Sequence, residues 1–119
     1  MNSYTVRPHS RNLTDDRLER LVKLGGIAGV SFCPPNLTGD NPCTTDHVID
    51  HFRYYHEHAA GHVCFGSDYD GTSLPADLKD ITGVPALVDK IRAFGADDAA
   101  VEDITWNAAY RFLRDNLPK

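Results

Sequence analysis

The 119-residue chain predicts an α/β fold with a parallel sheet, and three observations carry that expectation. Segments of strand character alternate with segments of helical period, the order that feeds crossovers between parallel strands. The apolar run at 62–65 stops at Gly66-Ser67, and two carboxylates, Asp68 and Asp70, follow before Gly71. An acid placed just past a strand is how α/β folds equip the carboxyl edge of a sheet. Finally, 41% hydrophobic residues in a chain of this length can fill one core.

Each element has a local reason. Residues 1–11 lack periodicity and read as loop. Thr14 caps a first helix, with Asp15 and Asp16 complementing the helix dipole and Leu13 and Leu18 spaced as a hydrophobic staple. Leu18, Leu21 and Val22 form its buried stripe, and Gly25-Gly26 ends it. Residues 27–33 make the first strand, stopped by Pro34-Pro35. A loop through Gly39, Asp40, Asn41 and Pro42 leads to a helix capped by Thr44 or Thr45, with Val48, Ile49, Phe52 and Tyr55 inward. The 62–65 strand follows.

Beyond it, a loop from 71 to 83 precedes a helix with Pro85 in its first turn and Val84, Leu87, Val88 and Ile91 on one face, closed by Gly95. Asp97 caps a last helical region with Val101, Ile104, Ala108 and Phe112 inward, ended by Pro118. Two strands cannot complete a parallel sheet, which needs covered faces and paired edges. These helices and strands amount to about a quarter of an eight-stranded barrel.

Composition narrows the function. A net charge of -5 with scattered Lys and Arg argues against nucleic acid and anionic membranes as partners. No apolar run approaches the ~20 residues that span a bilayer, and the polar Met1-Asn2-Ser3-Tyr4 is unlike a signal peptide. The expectation is a cytoplasmic protein. Cys33, Cys43 and Cys64 form no C-x-x-C pair and read as reduced thiols, with a Cys33–Cys43 bridge as the alternative.

Three features carry candidate chemistry. Asp68-Tyr69-Asp70-Gly71-Thr72 spells the D-x-D-G-T of haloacid-dehalogenase-type phosphatases, a Mg²⁺ chemistry using Asp68 and Asp70. Its context argues against that reading, because Gly66-Ser67 separate strand from acid and little chain follows. The plain alternative is a turn, with Asp70-Gly71 supplying its tight conformation. His47 and His51 lie four apart on a helix but lack the Glu of H-E-x-x-H, so both read as surface or boundary histidines. Arg11 enters the first helix where a barrel would place it on the same face as Asp68. A guanidinium and a carboxylate converging there suit a substrate with both a carboxylate and an amine.

Arg11-Asn12-Leu13-Thr14-Asp15, Phe32-Cys33-Pro34-Pro35, Ile49-Asp50-His51, Gly66-Ser67-Asp68-Tyr69-Asp70-Gly71 and Pro75-Ala76-Asp77-Leu78-Lys79-Asp80 stand in collinear order. Together they resemble the membrane (renal) dipeptidase family across essentially the whole chain. The resemblance implies a zinc-dependent (β/α)8 TIM-type barrel that hydrolyses dipeptides, some members accepting a D-residue at the C-terminal position. Residues 1–119 then form a single partial domain, the C-terminal third with strands seven and eight. The resemblance assigns Asp68 to the nucleophilic water, the substrate amine and proton transfer, and Arg11 to the substrate carboxylate.

It also implies two zinc ions whose ligands would all precede Met1, so this chain alone is expected to hold no metal and to be inactive. Asn2-Ser3-Tyr4 looks like the remnant of an S-H-S-N type motif, and Asn107-Ala108 replace the family's usual Gly-Asn. The expected partners are a dipeptide, and either the missing N-terminal part of the barrel or a second copy of the chain. The competing classes are the Mg²⁺ phosphatase and a non-catalytic interaction module.

Overall fold

The computed structural model describes residues 1–39 and 42–119, so Asp40 and Asn41 of the expected loop lie outside the described residues. Helix α1 (Asp15–Lys23) leads to strand β1 (Ala28–Val30), the one-turn helix α2 (Pro34–Leu37), helix α3 (Thr45–His58) and strand β2 (Val63–Phe65). A 3-10 turn (Ile81–Gly83), α4 (Val84–Ala93), α5 (Asp98–Glu102), a π-helical turn (Asp103–Asn107) and α6 (Ala108–Asn116) complete the order. The mixed α/β class expected from the alternation is present.

The strands β1 and β2 pair in parallel, with Ala28 opposite Val63, Gly29 opposite Cys64 and Val30 opposite Phe65. Both strands are shorter than the sequence implies, because each has one neighbour among the described residues. Single bonds carry the pairing on at either end: Ala28 N–H donates to His62 O at 2.8 Å and Phe32 N–H to Ser67 O at 3.3 Å. Two glycines allow the close approach at the exit. A Cβ on Gly66 would stand 2.8 Å from the Gly29 carbonyl carbon.

Side chains from both strands and α3 fill the core. Val30, Phe32, Phe52 and Tyr55 are completely buried, as the alternating and i, i+3/i+4 patterns require. Phe65 meets Phe52 edge-on at 5.3 Å and Phe32 at 5.8 Å between centroids, a favoured aromatic geometry. On α4, Leu87 and Ile91 are buried, and Leu13 and Leu18 form the buried pair at the start of α1.

Four local expectations need correction. Residues 1–11 are not simple loop: Ser3 forms a parallel bridge with Leu13. Pro34-Pro35 end a strand but also open α2, since proline is compatible with a first helical turn. The last helical region is interrupted by its π-turn, where the Thr105 hydroxyl donates to the Val101 carbonyl at 2.8 Å. Val101, Ile104 and Ala108 are buried there, whereas Phe112 is only half-buried. Lastly, His51 is neither at the surface nor at its boundary; it is fully buried.

The 71–83 loop is tied to α3. The Asp77 carboxylate accepts from Thr45 N–H and from the Thr45 hydroxyl, both at 2.7 Å. Lys90 of α4 donates to the Thr45 hydroxyl and to Asp46, both also at 2.7 Å. Despite some burial, these hydrogen bonds and the Lys90 charge hold the Asp77 carboxyl below its usual range. The three cysteines are free thiols, so no Cys33–Cys43 bridge forms.

Candidate functional site

An open cleft of about 370 Å³ lies beyond the carboxyl ends of both strands. Ser31 and Cys33 reach it from the exit of β1, and Gly66 and Asp68 from the exit of β2. Asn36 of α2, together with Met1 and Arg11 of the N-terminal segment, lines the remaining wall. The two residues singled out from sequence, Arg11 and Asp68, therefore share one cavity. Both are exposed, and neither has an ion-pair partner among the described residues. A guanidinium and a carboxylate that line one cavity without an ion-pair partner among the described residues are available to a ligand.

Asp68 is held by a tight bend. Its φ is 62° and that of Asp70 is 64°, the left-handed region that side chains other than Gly, Asn and Asp avoid. Gly71 N–H donates to Asp68 O at 3.1 Å and closes the turn. The Asp68 carboxylate folds back over Gly71, where a Cβ would stand 2.6 Å from Oδ1. Asp70 shares the bend but is not among the residues lining the cleft. The arrangement presents one carboxylate to the cavity, whereas the phosphatase reading needs two.

Arg11 owes its place to backbone. Tyr4 N–H donates to Leu13 O and Leu13 N–H to Asn2 O, both at 2.8 Å, which staples the limbs of the Arg11 loop together. Asn12 Nδ2 donates to Arg7 O and Asn36 O, both at 2.9 Å, and fixes the base of the loop against α2. Asn2 acts as a surrogate strand partner for β1's exit: Nδ2 donates to Ser31 O at 2.9 Å and Oδ1 accepts from Ser31 N–H at 2.7 Å. Asn2, Ser3 and Asn12 are all buried.

Sequence reasoning missed this polar support. The asparagines carry no motif that marks them as structural. His51, however, had a readable signal, since it lies three residues after Val48 and four before Tyr55 on the inward stripe. His47 is half-buried, and its Nδ1 accepts from Thr44 N–H at 3.1 Å, so it serves the start of α3.

No group of three or more His, Cys, Asp or Glu among the described residues is placed to hold a metal ion. A catalytic zinc site uses three protein ligands and an open position. The residues described here do not fit that requirement. Also among the described residues, no helix is long and apolar enough to cross a membrane.

Comparison with known proteins places this architecture. The chain is 34% identical over 121 residues to an uncharacterized protein from the pqqA 5' region of Klebsiella pneumoniae, covering 96% of this chain and 44% of that protein. It is 31% identical to dipeptidase aclJ of Aspergillus oryzae, over 96% of this chain and 28% of that enzyme. A metallopeptidase from Rhodobacter sphaeroides, solved with a phosphinate mimic of the dipeptide L-Ala-D-Ala, superposes with a TM-score of 0.90 at 30% identity. That superposition covers 98% of this chain and 34% of the Rhodobacter chain.

The chain thus spans less than half the length of each of these relatives. The membrane dipeptidase family model matches residues 1–117, a span that includes both the Arg11 loop and the Asp68 bend. By that match, the chain belongs to the membrane dipeptidase family, peptidase family M19.

Proposed function

We propose that this chain is the C-terminal part, strands seven and eight, of a (β/α)8 metallodipeptidase barrel, and that it supplies the substrate-carboxylate and proton-transfer residues. The observation that carries the reading is the shared cleft: Arg11 and Asp68 line one cavity at the carboxyl end of a parallel sheet. Barrel enzymes place their chemistry at that end. Arg11 pairs with the C-terminal carboxylate of a dipeptide through a charge-assisted, two-pronged contact. Asp68 accepts a proton from the attacking water and returns it to the leaving amine, while its charge also suits the substrate's free ammonium group.

The zinc ions of the complete barrel would supply a polarised carbonyl and an activated water. Their ligands belong to other parts of such a barrel, and residues 1–119 act as one partial domain. On this reading the isolated chain is inactive, and no nucleic acid or membrane partner is involved. Complementation tests it: the chain is mixed with an upstream polypeptide of a family member, with zinc present, and dipeptide hydrolysis is followed. Activity that needs both polypeptides supports the reading. Phosphomonoester hydrolysis by the chain with Mg²⁺, lost in Asp68→Asn, would instead establish the phosphatase.

A further inference from the structure

The Arg11 side chain is exposed, so its position over the cleft depends on how its loop is anchored to the fold. Helix α3 provides that anchor with two buried side chains one turn apart. His51 Nδ1 accepts from Ser3 N–H at 3.1 Å, and the Tyr55 hydroxyl donates to Met1 O at 3.0 Å. Ser3 is the residue bridged to Leu13, two positions beyond Arg11. The imidazole is therefore connected to the Arg11 loop through one backbone amide and one strand bridge.

This contact dictates the tautomer. An Nδ1 that accepts from an amide is unprotonated, so the neutral ring carries its proton on Nε2. Nε2 is buried with no hydrogen-bond partner among the described residues, although the Leu37 backbone interacts with the ring. A histidine with no exposure and one imperfectly satisfied nitrogen is a costly occupant of a helix's apolar stripe. An aromatic or aliphatic residue would fill the space but would orphan the buried Ser3 amide.

We infer that His51 is a positioning residue, whose Nδ1 latches Ser3 and thereby sets the Arg11 loop over the cleft. The role of that loop in holding a substrate carboxylate rests on the function proposed above. The latch itself does not.

NMR of the ¹⁵N-labelled full chain at neutral pH tests it without substrate. The expected result is an unprotonated Nδ1 and a protonated Nε2 on His51. In His51→Phe, hydrogen exchange at the Ser3 and Leu13 amides should rise about tenfold or more, the effect of orphaning one buried amide. His51→Asn, which keeps an acceptor near the Nδ1 position, should restore much of the protection. A proton on Nδ1 in the parent chain overturns the inference whether or not the variants fold. So does unchanged Ser3 and Leu13 exchange in a folded His51→Phe.

Titration with the dipeptide Ala-Ala and its C-terminal amide, read at the Arg11 Nε–H signal, judges the functional reading separately. A response to Ala-Ala and not to the amide supports Arg11 as the carboxylate holder. Equal responses to both count against that role, while the tautomer and exchange data alone decide the latch.

Discussion

His51 gives the fold a pH signature of its own. Burial is the main cause that lowers its pKa from 6.5 to about 4, and the Met1 ammonium and His47 push the same way. The unfolded chain therefore binds a proton that the folded chain refuses between those values. The stability of the neutral, buried ring is fully present above about pH 6.5 and is lost as pH falls toward 4, by up to about 3 kcal/mol. Urea melts between pH 7 and 4 should show this slope in the parent chain, and His51→Asn should flatten it. Carboxylates held below their usual range, such as Asp77 and Asp103, lose their contribution at lower pH. The Met1 ammonium, lowered by burial, adds its own loss as pH falls below about 8, so the difference between the parent and His51→Asn is what isolates the imidazole.

Gly71 makes a second prediction at the same scale. A methyl group there meets the tip of the Asp68 side chain, which can swing away at little cost. Gly71→Ala should thus change stability by no more than about 0.5 kcal/mol, yet lower turnover in an assembled enzyme by displacing the carboxylate. Unfolding curves beside kcat measurements would separate the two effects.

Among the elements, the strands were legible because β-branched and aromatic runs end at turn residues. The helices were legible through the spacing of Val48, Phe52 and Tyr55 or Leu87 and Ile91. What escaped detection had local signals that point two ways. Pro34-Pro35 stop a strand and start a helix with equal ease, and nothing in residues 103–107 announces an extra residue per turn. The Ser3–Leu13 bridge is a single pair, too short to leave an alternating pattern. The juxtaposition of Arg11 and Asp68 came from topology and family resemblance together, since residues so far apart in sequence share no periodicity.

The exit of the strand pair is where packing most constrains the site. Gly66 lies against Gly29 backbone, which cannot swing aside as a side chain can. Gly66→Ala should force β1 and β2 apart just before Asp68, at a cost of about 1–3 kcal/mol. A thermal melt that matches the parent would show that the strands have more freedom than this contact implies.

Taken as a whole, the molecule has a buried centre and several exposed large hydrophobic side chains. Its parallel sheet has two strands among the described residues; Asn2 and the Met1 ammonium pair with Ser31 and Gly29 on the outer side of β1, but no third strand lies beyond either edge. Trp106, Tyr110, Leu113 and Leu117 are each about half exposed, at i, i+4, i+7 and i+11 along and beyond α6. A chain with such edges and such a stripe should self-associate when isolated. Sedimentation velocity should detect species larger than 13.2 kDa at micromolar concentration, and a strictly monomeric boundary would contradict that expectation.

On the proposed function, the two walls of one cleft divide the work on a dipeptide, Arg11 binding its carboxylate and Asp68 moving the proton. Steady-state kinetics of the complemented enzyme on Ala-Ala, for Arg11→Lys and Asp68→Asn, tests this most directly. Asparagine tolerates the left-handed backbone at position 68, so that substitution removes charge without disturbing the bend. Asp68→Asn is expected to lower kcat by roughly 10²–10⁴-fold, while Arg11→Lys should mainly raise KM because lysine lacks the guanidinium fork. An unchanged KM in Arg11→Lys together with full turnover in Asp68→Asn would contradict it.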